Sequence, residues 1–433
     1  MKQQKFIEEF SNFLYNNKGV YFIGSGISVG SGLPNWKSLI EKFVKEIGID
    51  DVLDTDDLPL LAQYYSNKKS KKDLYDAIDN DFANKVPNEY HKILKVTNIS
   101  TIWTTNYDDL LEQTFKNKFE LKIADGEIFT FDENNDKVEI IKIHGSIKYS
   151  SDDIVITQAD YEDFFIKKPT IVQRLKVDLL QKSFVFMGYN YGDPNIQNII
   201  TEVRRLKSLK NTIKHYILLK NDTDIKFRFW CENMERYNIF PVLYDEHKDL
   251  EKILEVISLK SRGKSVFITG SHTNDNIKDL NLLTDCIIDN KLILVDGQSA
   301  GVMRTVMSFF TTYCIDNKID YQNTIKYFPN PYASNSKFAN DLSLIPQLKD
   351  FRKPLMKASQ IVIAFDGGMG TRAEIEVAID MGCIVIPFFK DSSLPTWELL
   401  DIINVKDDNY DCKLMSGTIT MLDLTELLIK KIK

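Results

Sequence analysis

Apolar residues recur at Phe6, Phe10, Phe13 and Leu14, the spacing of one helix face, and then the period changes. Residues 19–23 (GVYFI) are continuously apolar, which predicts a strand buried on both faces. A glycine-rich turn follows, and Trp36, Leu39, Ile40, Phe43, Val44 and Ile47 restore the helical repeat. Strand, glycine turn and helix in that order open a nucleotide-binding α/β unit. Residues 50–98 hold no convincing strand. Leu58–Tyr65, Lys72–Phe82 and Asn88–Val96 read as short helices, an insertion over the sheet edge. Strand-like runs resume at Ser100–Thr105, Glu139–His144, Asp153–Thr157, Ser183–Gly188, His215–Leu219 and Ile239–Tyr244. Helical repeats at 108–116, 171–182, 194–207 and 248–260 lie between them.

Near residue 262 the pattern starts afresh. Ser265–Gly270 is again an apolar strand running into a Gly-Ser turn. Strands follow at Leu292–Asp296, Thr324–Phe328, Gln360–Phe365 and Ile384–Phe389, with helices between. The alternation predicts two Rossmann-like α/β domains with doubly wound parallel sheets, at 1–260 and 263–433. The first carries the helical insertion.

Composition narrows the function classes. A length of 433 residues suits two domains, with 43% hydrophobic and 27% charged residues and no low-complexity tract. The net charge of −7 is spread along the chain, which excludes the concentrated basic face of a general nucleic-acid binder. No apolar run reaches the roughly 20 residues of a membrane helix, and the first ten residues are polar and helix-patterned, unlike a secretory signal. A cytoplasmic location is the expectation. The five cysteines (Cys231, Cys286, Cys314, Cys383, Cys412) are isolated, and neither CxxC nor HxxxH spacing occurs. Reduced thiols and no metal site follow.

Three segments of the first domain carry glycine or polar residues at predicted strand ends. Residues 24–36 read GSGISVGSGLPNW, residues 103–109 WTTNYDD, and residues 141–146 IKIHGS. Open α/β sheets bind ligands outside the carboxyl ends of their strands, so the three segments converge on one crevice. Gly24 and Gly26 would let the backbone approach a phosphate and turn their N–H groups to it. Alone, Asn106 reads equally as a helix N-cap for 107–114, and His144 as a turn residue bonded to backbone.

Together these residues resemble the sirtuins and the sirtuin-like bacterial NADases. The match is carried by the GxGxSxxSGxP loop at 24–34, the TxNxD segment (Thr104, Asn106, Asp108) and the pair His144 and Gly145. A further glycine turn, residues 188–195 (GYNYGDPN), stands where the family contacts the adenosine half. The resemblance spans roughly residues 1–260. It implies NAD+ as substrate, Asn106 and His144 as the catalytic pair, and a cofactor shell of Gly24, Ser25, Gly26, Ser28, Pro34, Thr104, Asp108, Gly188, Tyr189, Asn190 and Asp193. Deacetylating sirtuins carry Asp-Phe-Arg after the loop proline and Gln before the catalytic Asn, where this chain has Asn35, Trp36, Lys37 and Thr105. Their four zinc-binding cysteines have no counterpart here. That favours water as the nucleophile. Nicotinamide departs as a neutral molecule from a cation, so the protein need only hold the substrate and present the water. An imidazole titrates near neutrality, which makes His144 the candidate general base. Asn106 cannot titrate, so its part is positional.

In the second domain, Gly270 and Ser271 end the first strand, residues 296–303 (DGQSAGVM) follow the second, and residues 366–374 (DGGMGTRAE) follow a later one. Glycines and a threonine opening a helix form an anion-binding nest of N–H groups. Glu374 would accept from a ribose, or simply complement the helix dipole. GGxGTxxE resembles the SLOG and Lonely-Guy nucleotide-binding domains, implying a nucleotide site of Gly270, Ser271, Gly297, Gly301, Gly367, Gly368, Gly370, Thr371 and Glu374. The basic partner of Glu374 is not placed by motif, and Arg352, Lys353 and Arg372 are the candidates. Phe365 and Asp366 replace the family's usual residues before the glycines, and with that basic partner unplaced, ligand binding is the expectation and not hydrolysis. The two domains in tandem are similar to the effectors of Thoeris anti-phage defence. That resemblance implies a cyclic ADP-ribose isomer, made by a TIR-domain partner, as activator of NAD+ depletion by a tetramer. Rival readings are an NAD-dependent protein deacylase or ADP-ribosyltransferase, a non-catalytic nucleotide-sensing scaffold, and a phosphoribohydrolase in the second domain.

Overall fold

The computed structural model describes residues 2–50, 57–128, 137–148, 153–189, 193–206, 213–271, 277–331, 342–403, 405 and 407–432. The chain forms two compact units, Met1–Ser261 and Arg262–Lys433.

The first unit begins with α1 (Gln3–Tyr15), β1 (Gly19–Ile23) and α2 (Trp36–Lys45), then α3 (Leu58–Lys68), α4 (Lys71–Phe82) and α5 (Glu89–Val96). It continues through β2 (Thr101–Thr104), α6 (Leu110–Phe115), β3 (Phe119–Lys122), β4 (Val138–Lys142), α7 (Gln158–Lys167) and α8 (Pro169–Gln181). β5 (Ser183–Met187), α9 (Pro194–Leu206), β6 (His215–Lys220), α10 (Ile225–Met234), β7 (Ile239–Tyr244) and α11 (His247–Lys260) complete it. The seven strands pair in the order β3-β4-β2-β1-β5-β6-β7, all parallel. Apolar residues run on without a break in β1 because both faces are covered. Tyr21 and Ile23 join Phe6, Phe10 and Ile102 on one side. Val20 and Phe22 join Trp103, Phe184 and Phe186 on the other. Pro241 sits in the outermost strand, β7, where a missing N–H costs no ladder bond.

The second unit has a five-stranded parallel sheet ordered β10-β9-β8-β11-β12. Its strands are β8 (Ser265–Thr269), β9 (Ile293–Asp296), β10 (Ile325–Tyr327), β11 (Ile361–Phe365) and β12 (Ile384–Phe388). Helices α12 (Leu280–Asp289), α13 (Val302–Asp316), α14 (Ile345–Lys357), α15 (Met369–Asp380), α16 (Asp408–Met415) and α17 (Met421–Ile432) accompany them. One apolar core, from Val266 to Ile432, fills this unit.

Both sheets are doubly wound, as the alternation predicted, and two local expectations change. Residues 153–157 join no ladder. Ile154 and Ile156 are instead buried in a cluster with α2, α3 and α4, which also takes in Tyr107, Leu110 and Ile147. Helices α3 and α4 of the insertion therefore pack on the segments that follow β2 and β4, at the carboxyl end of the sheet, whereas α5 joins α1 and α11 over one sheet face. β3 was not foreseen: Phe119, Glu120, Leu121 and Lys122 alternate apolar and polar, but over only four residues, all half-buried except Lys122.

Candidate active site

In the first sheet the chain leaves β1 toward β2 on one side and later returns to β5 on the other. The loops after β1 and β5 thus flank the point where the winding reverses, the usual ligand crevice of such sheets. These loops interlock through backbone. Gly24 N–H donates to Met187 O (3.0 Å) and Gly26 N–H to Gly188 O (2.9 Å). A Cβ on Gly24 would stand 2.5 Å from Gly188 O, and one on Gly26 2.9 Å from Gly188 Cα. This corrects the expectation for the two glycines. Their N–H groups are spent on the neighbouring turn and do not face a phosphate, and the lack of side chains serves backbone approach. Ser25 and Ser28 open the short 3-10 turn that follows, Ser25–Ser31, and Pro34 lies beyond it.

Thr104, the last residue of β2, donates its hydroxyl to Ile23 O (2.9 Å) and accepts from Asn106 N–H (3.0 Å). That turn delivers Asn106 to the crevice. Helix α6 starts at Leu110, whose N–H donates to Asp108 Oδ1 (3.1 Å), so Asn106 is not the N-cap. Ser28 Oγ donates to Asp108 Oδ2 (2.8 Å) and accepts from Asn106 Nδ2 (3.1 Å). A carboxylate only accepts, so the serine hydrogen goes to Asp108 and its lone pair is left for the amide N–H. The amide is thereby held one way round. Its oxygen, Oδ1, is buried and has no hydrogen-bond partner.

His144 follows β4 and is 3% exposed. Its carbonyl accepts from Val155 N–H (3.1 Å). Gly145 has φ +86°, and a Cβ there would collide with Asp153 O. The imidazole packs against the edges of Tyr161 and Phe164, with centroids 5.5 and 6.1 Å away. Nε2 lies 3.1 Å from Asp193 Oδ2 yet out of line for a hydrogen bond, so this nitrogen is also unpartnered. Asp193 Oδ1 accepts from Asn195 N–H and Ile196 N–H (2.9 and 3.1 Å), and Oδ2 from Tyr161 OH (3.4 Å). The carboxylate assigned to the adenosine half therefore stands beside His144. Gly188 and Tyr189 sit against Gly24, while Asn190 lies outside the described residues. Tyr161 is the neighbour that sequence reasoning missed; within α7 it reads as an ordinary helix residue.

The second sheet repeats the construction. Its winding reverses between β8 and β11, and Ser271 N–H donates across that gap to Asp366 O (2.9 Å). Gly297, Gly301, Gly367, Gly368, Gly370 and Thr371 follow β9 and β11 at the same end, with Gly368 capping α15. Of the three basic candidates, only Arg352 reaches Glu374: Nε donates to Oε1 at 2.7 Å, with both side chains at most 4% exposed. Its other nitrogens reach Pro329 O (3.1 Å) and Gly297 O (3.5 Å). Thr269 Oγ1 donates to the second oxygen of Glu374. Each oxygen of the carboxylate expected to accept from a ribose already accepts one hydrogen bond. Arg372 pairs outward with Glu376 and Glu398, and Lys353 pairs with Asp350. Burial holds the Asp296 carboxyl above its usual range.

Among the described residues no group of three or more His, Cys, Asp or Glu is gathered to hold a metal, and no helix is long and apolar enough to cross a membrane.

Residues 100–242 match the SIR2-like domain family, in agreement with the parallel sheet and the Asn106 and His144 segments at its carboxyl end. The NAD(+) hydrolase ThsA of Cytobacillus dafuensis is 29% identical over 88% of this chain and 84% of its own length. The NAD(+) hydrolase ThsA of Bacillus cereus (strain MSX-D12) is 32% identical, covering 63% of this chain and 60% of that protein. Defense-associated sirtuin 2 of Bacillus subtilis is 24% identical over 74% of this chain and 30% of that protein. The chain thus carries a SIR2-like domain and resembles the NAD(+) hydrolase ThsA proteins over most of its length.

Proposed function

We propose that the first unit hydrolyses NAD+ to nicotinamide and ADP-ribose as a defence effector, and that the second unit, read as a SLOG domain, gates it by binding a cyclic ADP-ribose isomer. The observation that carries the catalytic half is a pair of buried side-chain atoms without a hydrogen-bond partner, Asn106 Oδ1 and His144 Nε2, at the carboxyl end of one sheet. Leaving such groups unpaired costs stability, and sites of chemistry are where that cost persists. With its amide held by Ser28, Asn106 presents oxygen and not nitrogen. It accepts from a hydrogen of the attacking water or of a ribose hydroxyl. His144 removes the second proton of the water as the bond to nicotinamide breaks, and Asp193 receives the imidazole N–H after a small ring rotation. Nicotinamide leaves neutral, and the anomeric carbon gains the hydroxyl.

The filled Arg352–Glu374 pair supports binding over catalysis in the second unit. A gate must favour the active state by differential affinity, and a hundredfold shift takes about 2.7 kcal/mol. A charged dinucleotide at a glycine-rich helix start supplies interactions of that size. The same reading makes a TIR-domain protein the source of the signal, and a tetramer the assembly. Nicotinamide release from NAD+, followed with and without cyclic ADP-ribose isomers, tests both halves. High turnover without any isomer removes the gate. Acetyl-ADP-ribose formed from an acetylated peptide, in place of free ADP-ribose, moves the enzyme to the deacylase class.

A further inference from the structure

Lys142 ends β4 with its side chain fully buried, in a strand otherwise suited to apolar residues. An ammonium has three donors, and here three acceptors meet them. They are the backbone oxygen of Asp108, Glu112 Oε1 at 2.6 Å, and Ser146 Oγ at 3.4 Å. These come from three places in the chain. Asp108 stands two residues beyond Asn106, Ser146 two residues beyond His144, and Glu112 belongs to α6. The two catalytic segments follow different strands, and Lys142 bonds to both.

A methionine would fill the same space without the desolvation cost of a cation, so packing alone does not call for lysine. We propose that Lys142 is a positioning residue: its ammonium fixes the Asn106 segment against the His144 segment, so that both reach one bond of the substrate together. The inference rests on the reading of Asn106 and His144 as the pair that cleaves NAD+. A simpler role competes with it, namely neutralising the buried Glu112 carboxylate. Burial pushes that carboxyl up, and Lys142 pulls it back. The two roles separate when both charges are removed.

In the full chain, Lys142→Met strands Glu112 and should lower the melting temperature. Lys142→Met with Glu112→Leu replaces the pair by apolar side chains and should restore it. If Lys142 positions the segments, the folded double variant still turns over NAD+ about a hundredfold more slowly, with KM nearly unchanged. Amide hydrogen exchange should rise together in peptides covering 104–110 and 143–147. Wild-type turnover and exchange in the double variant would overturn the proposal and leave only charge neutralisation. Should the double variant not fold, Ser146→Ala removes one acceptor without stranding a charge. A several-fold drop in kcat with faster exchange at 143–147 is then expected, and no change in either overturns the clamp. If the unaltered chain releases no nicotinamide, the functional reading fails, and the exchange comparison still decides the role of Lys142.

Discussion

The two crevices of this chain share one construction and differ in how their polar groups are satisfied. Each lies where a parallel sheet reverses its winding, with backbone joined across the gap: Gly26 to Gly188 in the first, Ser271 to Asp366 in the second. In the first, Asn106 Oδ1 and His144 Nε2 are buried without hydrogen-bond partners. In the second, both oxygens of Glu374 are occupied, by Arg352 and Thr269. An unfilled site has valences to give to reacting atoms. A filled one gains a ligand mainly through backbone N–H groups and shape, or by breaking an existing pair. That difference supports the proposed division, in which the first site changes a molecule and the second senses one.

The comparison is broken most directly at the unfilled pair. His144→Ala or Asn106→Ala should cut nicotinamide release by about a thousandfold, the middle of the usual range for a lost acid–base group, with the melting temperature held. Near-wild-type turnover in either variant would falsify the site assignment. Arg352→Met should act on stability first. It leaves Glu374 buried and unpaired, costing about 3–5 kcal/mol. Calorimetry of the full chain should then show a downshifted transition while ligand-independent NAD+ turnover stays low.

A third test uses the cations that brace each crevice. Lys168 reaches Ile143 O (3.0 Å), just before His144, and desolvation lowers its pKa to about 8. Its folded value lies below the unfolded one, so between about pH 8 and 10.5 the unfolded chain holds more protons. Stability contributed by this group therefore rises with pH across that window, by an amount on the order of 3 kcal/mol. Arg352 is the corresponding brace on Gly297 O (3.5 Å). The difference in unfolding free energy between the unaltered chain and Lys168→Met should grow from pH 7.5 to 9.5; a flat difference would sink this account. Ser28→Ala frees the Asn106 amide without removing it, so about a tenfold loss in kcat is expected. Smallest of all, Lys353→Ala removes an exposed pair with Asp350, and the activating concentration of isomer should stay within about twofold.

Much of this was legible in the chain itself, for reasons that differ by element. β1 and β8 announced themselves as apolar runs ending in glycine, because strands covered on both faces admit little else. Asn106 and His144 stood out as polar residues at the ends of such runs. Residues 153–157 misled because the burial of Ile154 and Ile156 comes from α2, α3 and α4, which an apolar run does not distinguish from a ladder. Asp193 lies 49 residues beyond His144, and Arg352 stands 22 before Glu374; only the packed sheet brings each pair together. The direction expected of the Gly24 and Gly26 N–H groups differed because a GxG turn reads the same whether its N–H groups meet a ligand or another turn.

That last point changes how the glycine loop can be interrogated. At Gly24 and Gly26 there is no room even for a methyl group, and the obstacle is main chain that cannot rotate aside. An alanine at either position therefore attacks the joint between two loops before any ligand arrives. Lost activity in such a variant is a symptom of misassembly, and would be mistaken for a broken nucleotide contact. Ser28, whose hydroxyl bonds only to the side chains of Asp108 and Asn106, gives the cleaner diagnosis.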